Sequence, residues 1–251
     1  MVFGRSEAVI VRERPDSYVL VKQHDHGLIA GEFARHLAEE PHPPEPTLYG
    51  IANHDAGWQE LDETLRWDEA SGKPYSFTNY PTEPKLRAYK EGLDLLESQD
   101  RYAACLCSMH YASFVRNSKD ADEVRFREGE IRRQERLKGV MSVEEAENLG
   151  HNFRLLQLCD DLSLFVCLNE PGRNDHPWYK NGLKLEGARF EPIWENRHIL
   201  RLDPNPFSEP FDLVIPYTLV TQSGRRVGSD RLQLRVTLGE PSALALPERS
   251  P

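Results

Sequence analysis

Residues 142–170 read SVEEAENLGHNFRLLQLCDDLSLFVCLNE, the longest stretch of the chain with helical periodicity. Ser142 and Glu145 have the spacing of a capping box, which is typical of the start of a helix. Apolar side chains then recur every three or four residues, as in a helix that buries one face. Asp160 falls in the middle of this apolar stripe, which consists of Leu149, Phe153, Leu156, Leu164 and Cys167. The stretch therefore predicts a long helix that carries a carboxylate toward the core.

The same helical period extends upstream to about residue 24. It predicts helices near residues 25–40, 47–61, 84–98, 101–116, 120–139 and 143–169. Residues 7–23 favour a β-hairpin, because two β-branched runs flank the turn-forming segment RERPDS. After residue 170, short runs of alternating apolar residues predict strands in LKLEG, HILRLD, FDLVIPYTLV and LQLRVTL.

These elements predict a mostly α protein in three parts. The parts are a hairpin in residues 1–23, a helical core in residues 24–170, and a β-rich portion in residues 171–251 packed on that core. An isolated hairpin is only marginally stable in water, so we expect the hairpin and the C-terminal strands to meet. The β portion is expected to be small and antiparallel.

The composition excludes several classes of function. The chain has 31 Lys and Arg against 41 Asp and Glu, a net charge of −10, which disfavours nucleic acid as the main partner. No apolar run approaches the roughly 20 residues that a membrane span requires. The first residues also lack an apolar stretch long enough for a signal peptide. We therefore expect a cytoplasmic protein whose main partner is neither nucleic acid nor a membrane.

Four of the predicted helices each place an ionisable group on or beside the apolar stripe. The groups are His26, the adjacent pair His54 and Asp55, His110, and Asp160. A buried carboxylate without a partner costs several kcal/mol, and no Lys or Arg shares these stripes. Imidazoles and carboxylates that converge on one point suit a divalent transition metal. The sequence therefore predicts a metal site formed by these five residues.

The order of these residues and their local contexts resemble the HD-domain superfamily. The contexts are QHDHG at 23–27, NHDAGW at 53–58, SMHYASF at 108–114 and LCDDLSLFVCL at 158–168. Within that superfamily, they look like a bacterial family of uncharacterised HD-like proteins. The resemblance implies an all-α core around one or two metal ions. It also implies metal-dependent phosphohydrolase activity, or, as in a minority of members, iron-dependent oxygenase activity.

Several nearby residues compete for places in the site. Two-metal HD proteins usually add two histidines between the His-Asp pair and the last Asp, and His151 is the second candidate in that interval. His151 lies on the opposite face of its helix from Asp160, which makes it a poor ligand. Asp161 faces a more polar side of the same helix. His24 cannot share a helix face with His26, whose position continues the stripe containing Phe33.

Three further residues complete the predicted site. Gln23 and Asp25 are candidates to orient a metal-bound imidazole, and Trp58 is a candidate pocket wall. Asp55 is the expected central and catalytic ligand. The cofactor is expected to be one or two ions of Fe, Mn, Zn or Ni. Together with the resemblance, these residues predict a metal-dependent hydrolase of a small phosphoester molecule, with an HD-type iron oxygenase and a non-catalytic metal- or ligand-binding protein as the alternatives.

Overall fold

The computed structural model describes residues 10–185 and 187–239. Helices account for 47% and strands for 24% of the structure, which includes a curled sheet of seven strands. The protein therefore has an α/β fold, and the prediction of a mostly α fold with a small β portion is wrong. The outer ends of the predicted parts 1–23 and 171–251 lie outside the described residues, as do residues 7–9 of the predicted hairpin.

Apart from the stretch 47–61, the helices lie close to their predicted positions, although the first one ends at residue 35 and not at 40. They are α1 (Gln23–Arg35), α2 (Glu45–Ala52), α3 (Gln59–Asp62), α4 (Thr82–Gln99), α5 (Arg101–Phe114), α6 (Ala121–Lys138) and α7 (Val143–Leu168). The predicted capping box is present at the start of α7, where Ser142 and Glu145 satisfy each other's backbone N–H groups. None of the helices in the described ranges is long and apolar enough to cross a membrane.

One predicted helix is interrupted. The stretch 47–61 does not form a single helix, because α2 ends at Ala52 and a short 3₁₀ turn, Ala56–Trp58, precedes α3. The interruption falls on His54 and Asp55, which lie in the turn between the two helical segments. The side chain of His54 bonds there to the carbonyl of Ile51, at the end of α2, with 2.7 Å between Nδ1 and the oxygen.

The strands form one large sheet and one small hairpin. They are β1 (Ile10–Glu13), β2 (Ser17–Val21), β3 (Trp67–Asp68), β4 (Lys73–Pro74), β5 (Leu183–Leu185), β6 (Ala188–Asn196), β7 (Ile199–Asp203), β8 (Phe211–Thr221) and β9 (Arg226–Thr237). The large sheet has the order β1-β2-β8-β9-β7-β6-β5. Because β2 pairs with β8, the N-terminal hairpin and the C-terminal strands belong to the same sheet. The expected antiparallel arrangement fails at one pair, since β7 and β9 are parallel.

The sheet is larger than predicted mainly because β6 has a weak sequence signal. Its sequence ARFEPIWEN places two glutamates and a proline in a nine-residue strand. Only Phe190 and Pro192 are buried there, so the apolar alternation spans just three residues. The strand forms because it pairs with β5 on one side and with β7 on the other. These long-range partners are not visible in the local pattern.

Helices and sheet share one hydrophobic core. Phe33 on α1 stacks on Phe207 at a centroid distance of 5.9 Å and meets Phe211 of β8 edge-on at 5.8 Å. All three rings are buried, and the same cluster continues into α7 through Phe165. Since α1 packs against α2, α7 and β8, it is the central helix of the fold. The candidate site is built around this helix.

The buried end of α7 is held by a charged side chain from β1. Arg12 donates from Nη1 to the carbonyls of Asn169 at 2.5 Å and Cys167 at 3.4 Å. These carbonyls lie at the end of α7, where a helix has no intrahelical donors for its last oxygens and where a positive charge is favourable. Arg12 therefore ties the edge strand of the sheet to the helix that carries Asp160.

Arg12→Met should lower the free energy of unfolding by about 1–3 kcal/mol, because it removes charge-assisted hydrogen bonds to buried carbonyls. Arg14→Met is the matched control. Arg14 pairs with Glu170 at a position where its side chain is 32% exposed, and such pairs contribute about 0–1 kcal/mol. Urea unfolding followed by circular dichroism measures both variants. Equal losses would show that Arg12 does not cap α7.

Candidate metal centre

Three side chains from separate segments meet at one point, and two of them, those of His26 and His54, are fully buried while that of Asp160 is partly buried. His26 Nε2 lies 3.1 Å from His54 Nε2 and 3.0 Å from Asp160 Oδ1. His54 Nε2 lies 3.3 Å from the same carboxylate oxygen. One ligand atom from each residue lies within 4.8 Å of the other two, so this group could hold a metal ion.

The two other predicted ligands border this group. Asp55 Oδ2 lies 3.6 Å from the Nε2 atoms of both His26 and His54. His110 Nε2 lies 3.5 Å from Asp160 Oδ2, and its ring is perpendicular to that of His54 at a centroid distance of 5.1 Å. The structure thus brings together all five residues that the sequence singles out. Their role as metal ligands stays a prediction.

Helix periodicity explains only part of this convergence. His26, His110 and Asp160 lie inside α1, α5 and α7, where the apolar stripe fixes their direction. His54 and Asp55 instead lie in the turn after α2, so the helical-stripe argument for Asp55 is wrong although the residue reaches the site. The turn delivers both side chains of the pair to the same point.

Hydrogen bonds fix the tautomers of the two central histidines. The carbonyl of Ile51 can only accept, so His54 carries a proton on Nδ1. Ser163 donates its hydroxyl proton to the Asp160 carbonyl at 2.9 Å and accepts from His26 Nδ1 at 2.6 Å. Both rings therefore direct Nε2 toward the carboxylates. This arrangement is typical of histidines oriented to bind a metal.

The charges of the cluster respond to burial and to each other. Burial opposes protonation of His54, but the carboxylates of Asp55 and Asp160 outweigh it and raise the pKa of His54 to about 9. Burial would raise the pKa of Asp160, yet hydrogen bonds from His26 and His54 hold that pKa well below its usual range. Burial raises the pKa of Asp55. A cation at the centre of the cluster is therefore favourable.

His110 behaves differently from the other two histidines. Burial lowers the pKa of His110 to about 3, so its ring is neutral, and one nitrogen can bind a cation while the other carries the hydrogen. Neither ring nitrogen has a hydrogen-bond partner among the described residues, although the side chain is buried. An unsatisfied buried polar atom of this kind costs about 1–3 kcal/mol. The donor set of three imidazoles and two carboxylates, with these unsatisfied nitrogens, fits a divalent transition metal.

Residues 9–222 match the family model of DUF3891, which is described as a protein of unknown function. The chain belongs to the DUF3891 family. No curated protein matches the chain, and no solved structure does. All five residues of the cluster lie within the part of this DUF3891 protein that matches the family model.

The residues predicted to support the cluster have different positions. A hydrogen bond from the Gln23 side chain acts to lower the pKa of Asp55, a carboxylate and not an imidazole, so the predicted role of Gln23 in orienting an imidazole stays a prediction. Asp25 is partly exposed and lines a surface cleft beside β8, together with Lys22 and Arg231. Trp58 is 1% exposed and packs edge-on against Tyr80 and Tyr89, at 5.5 Å from each ring. Trp58 thus belongs to the packed core of this DUF3891 protein, and its role as a pocket wall stays a prediction.

Of the competing residues, His151 and His24 have partners outside the cluster, whereas Asp161 borders it. His151 Nε2 pairs with Glu39 Oε1, and both side chains are buried. His24 is near Gln59, whose amide nitrogen lies 3.2 Å from its ring nitrogens. Asp161 is next to the cluster, and burial together with the charge of Asp160 raises the pKa of Asp161 to about 7.

Two residues have supporting roles that the sequence does not predict. Ser163 follows Asp160 by three residues on α7, and this spacing puts it on the same helix face, which is a usable signal. Asp62 accepts from the backbone N–H groups of Gln23 and His24, at 3.0 Å each. It thereby caps the start of α1 from a different helix, α3. No local sequence pattern predicts a cap from a residue so distant in the chain.

Ser163→Ala should weaken metal binding about tenfold, because loss of a residue that orients a metal-bound imidazole typically costs 10–100-fold. The reason is that His26 loses the acceptor that keeps its proton on Nδ1. Ser113→Ala is the control, since the Ser113 hydroxyl bonds the His110 carbonyl at 2.6 Å rather than an imidazole nitrogen of the cluster. Titration with Co²⁺, followed by its visible absorption, compares the variants. The assignment fails if Ser163→Ala binds as tightly as the Ser113 control.

Proposed function

We propose that this DUF3891 protein is a metal-dependent hydrolase of a small phosphoester substrate. His26, His54, Asp55, His110 and Asp160 would hold the ion. One observation carries the proposal: two imidazoles of fixed tautomer direct Nε2 toward each other and toward two carboxylates in a buried position. The resemblance of the same residues to the HD-domain superfamily supports the choice of phosphoester hydrolysis.

The donor set determines which ions are candidates. Three imidazoles and two carboxylates suit Fe, Mn, Zn or Ni better than Ca or Mg, which prefer oxygen ligands. At neutral pH a proton on His54 supplies the positive charge that the cluster favours, since the carboxylates raise the pKa of His54 to about 9. A metal ion would replace that proton, so we expect binding to release protons.

The protein's own residues determine how a substrate approaches. The side chain of Asp160 is 13% exposed, whereas those of His26, His54 and Asp55 are at most 4% exposed. The cluster therefore meets solvent at Asp160, and a phosphate group would enter there. A bound divalent ion would neutralise phosphate charge and lower the pKa of an attacking water. The burial of the histidines would exclude other water from the reaction.

Metal loading followed by hydrolysis assays tests this proposal. The purified full chain is stripped with a chelator, reloaded with Fe²⁺, Mn²⁺, Zn²⁺ or Ni²⁺ in turn, and assayed with p-nitrophenyl phosphate and bis-p-nitrophenyl phosphate. We expect hydrolysis with at least one ion and none in the stripped protein. Metal uptake without hydrolysis of either ester would contradict the hydrolase. Oxygen consumption by the Fe²⁺ form would favour the oxygenase, and failure to bind any ion would remove the metal site.

Metal removal should also destabilise the fold. An ion at 100 times its dissociation constant stabilises the folded state by about 2.7 kcal/mol. For a chain of this size, that corresponds to a melting temperature lower by about 5–10 °C after chelation. Differential scanning fluorimetry of the stripped and reloaded protein measures the shift. An unchanged melting temperature, with metal removal verified by elemental analysis, would contradict a site that is coupled to folding.

A further inference from the structure

A second cleft lies between two loops on another part of the molecule. It has a volume of about 540 Å³ and is bordered by the loop that carries β3 and β4, by the loop after α7, and by β1 and β2. Its aromatic wall consists of Tyr18, Phe77 and Trp178. Clefts of this size that combine aromatic walls with a few polar groups are typical small-molecule sites. We call it the aromatic cleft.

The indole of Trp178 is the main apolar surface in this cleft. Trp178 is 52% exposed, although an indole is among the most costly side chains to leave in water. Its ring is perpendicular to Phe77 at a centroid distance of 6.0 Å, and to His176 at 5.1 Å. These two rings hold the indole in place while half of its surface stays open. An exposed and braced indole suits a ligand with an apolar face.

The charged residues of the aromatic cleft neutralise one another or bond within the protein. Lys73 Nζ pairs with Glu13 Oε2 at 2.7 Å. Asp68 accepts from the Ala70 backbone at 3.1 Å, and a hydrogen bond from the Ser71 side chain lowers the pKa of Asp68. Burial lowers the pKa of His176, which keeps that ring neutral. Within the described ranges the lining therefore has no surplus cation for a phosphate or carboxylate, and a neutral ligand fits best.

Small polar groups complete the lining. The hydroxyls of Ser76 and Thr78 lie 3.3 Å apart at the tip of the loop. Asn79 uses its carbonyl oxygen to accept from the Ser76 backbone at 2.7 Å. Its amide nitrogen has no hydrogen bond to the part of the chain that the structure describes. Donors and acceptors are thus available beside the indole, as a hydroxyl-rich ligand requires.

We propose that the aromatic cleft binds a neutral sugar ring. A sugar combines an apolar C–H face, which can lie against Trp178, with hydroxyl groups that can bond to Thr78 and Asn79. The pairing of Lys73 with Glu13 and the carboxylate of Asp68 disfavour an anionic ligand such as a sugar phosphate. This site is separate from the metal cluster, so the proposal does not depend on hydrolase activity.

Calorimetric titration of the full chain with glucose, N-acetylglucosamine, maltose and cellobiose tests the proposal. We expect at least one of these sugars to bind in the millimolar range, and Trp178→Ala to weaken binding about tenfold through loss of the aromatic contact. Asn79→Ala should weaken it several-fold. Phe114→Ala is the matched control, because Phe114 is also half exposed, at 54%, but lies outside the cleft. Melting temperatures of all variants verify folding.

Each result supports or overturns the proposal. Saturable binding that Trp178→Ala loses and Phe114→Ala retains would support it. Absence of saturable binding with all four sugars would overturn it, and so would equal losses in the two variants. Tighter binding of glucose 6-phosphate than of glucose would contradict the neutral ligand. If Trp178→Ala melts at a lower temperature, Trp178→Phe, which keeps an aromatic ring, should restore binding.

Discussion

Asp160→Asn should abolish metal binding and hydrolysis together, the largest functional effect expected from any single substitution. Asp160 Oδ1 lies 3.0 Å from His26 and 3.3 Å from His54, and Oδ2 lies 3.5 Å from His110, so this carboxylate joins the three imidazoles. An amide of the same size removes the negative charge that attracts the cation. It also directs an N–H group toward one of the three imidazoles. We expect metal affinity to fall at least 100-fold. Elemental analysis and the ester assays measure the two effects.

Asp161→Asn is the matched control, since it changes the neighbouring residue in the same way. Burial and the charge of Asp160 raise the pKa of Asp161 to about 7, so a large share of this side chain is already uncharged at neutral pH. Replacing it with a neutral amide should therefore leave metal affinity and melting temperature nearly unchanged. Equal loss of metal in both variants would show that Asp161, and not Asp160 alone, belongs to the centre.

The positions of the helical site residues could be predicted because buried helices repeat their apolar residues regularly. In α7, the stripe that includes Leu156 and Leu164 faces the core, and Asp160 lies midway between these two residues. A charged group at such a position must have partners, whatever the fold around it. The apolar stripes alone therefore indicate His26, His110 and Asp160. They do not give the distances between these residues, because the distances depend on how three helices cross.

The turn at His54 and Asp55 shows where this reasoning fails. The apolar residues around the pair continue the helical spacing, so periodicity predicts an unbroken helix over residues 47–61. The chain leaves the helix at the point where the pair meets His26 of α1, His110 of α5 and Asp160 of α7. Local periodicity carries no information about these long-range contacts. Helical periodicity thus gives the wrong structural explanation for the position of His54 and Asp55. The requirement that a buried carboxylate must have partners still leads to the correct position for the pair.

The sheet could be predicted only in part, for a related reason. The alternation predicts β8 and the second half of β9, from residue 232, but not the first half of β9, and the two strands pair along ten registered positions. The strand β6 is not predicted because its glutamates and proline interrupt the apolar alternation. The parallel pairing of β7 with β9 needs a long connection, which no local pattern encodes. Underestimating these strands led to the wrong fold class.

Gly92→Ala should produce the largest structural effect on the metal centre, although Gly92 contacts none of its ligands. A methyl group at Gly92 would lie 2.5 Å from Gly57 Cα and 2.6 Å from Gly57 N. Gly57 belongs to the 3₁₀ turn directly after Asp55, so the backbone of α4 touches the segment that positions the His-Asp pair. The helix must move away, because both neighbouring atoms belong to the backbone and cannot rotate aside. We expect a free energy of unfolding lower by about 1–3 kcal/mol and weaker Co²⁺ binding.

Gly129→Ala is expected to have the opposite effect on stability, although Gly129 also lies within a helix. Gly129 lies in the middle of α6, and a methyl group there would meet no atom within 4 Å. Alanine is a better helix former than glycine, so this variant should gain about 0.5–1 kcal/mol. Urea unfolding and Co²⁺ titration of both variants compare the signs. If Gly92→Ala gains stability as well, then α4 does not press on the turn. If Gly92→Ala loses stability but binds Co²⁺ normally, the turn holds Asp55 in place without the support of α4.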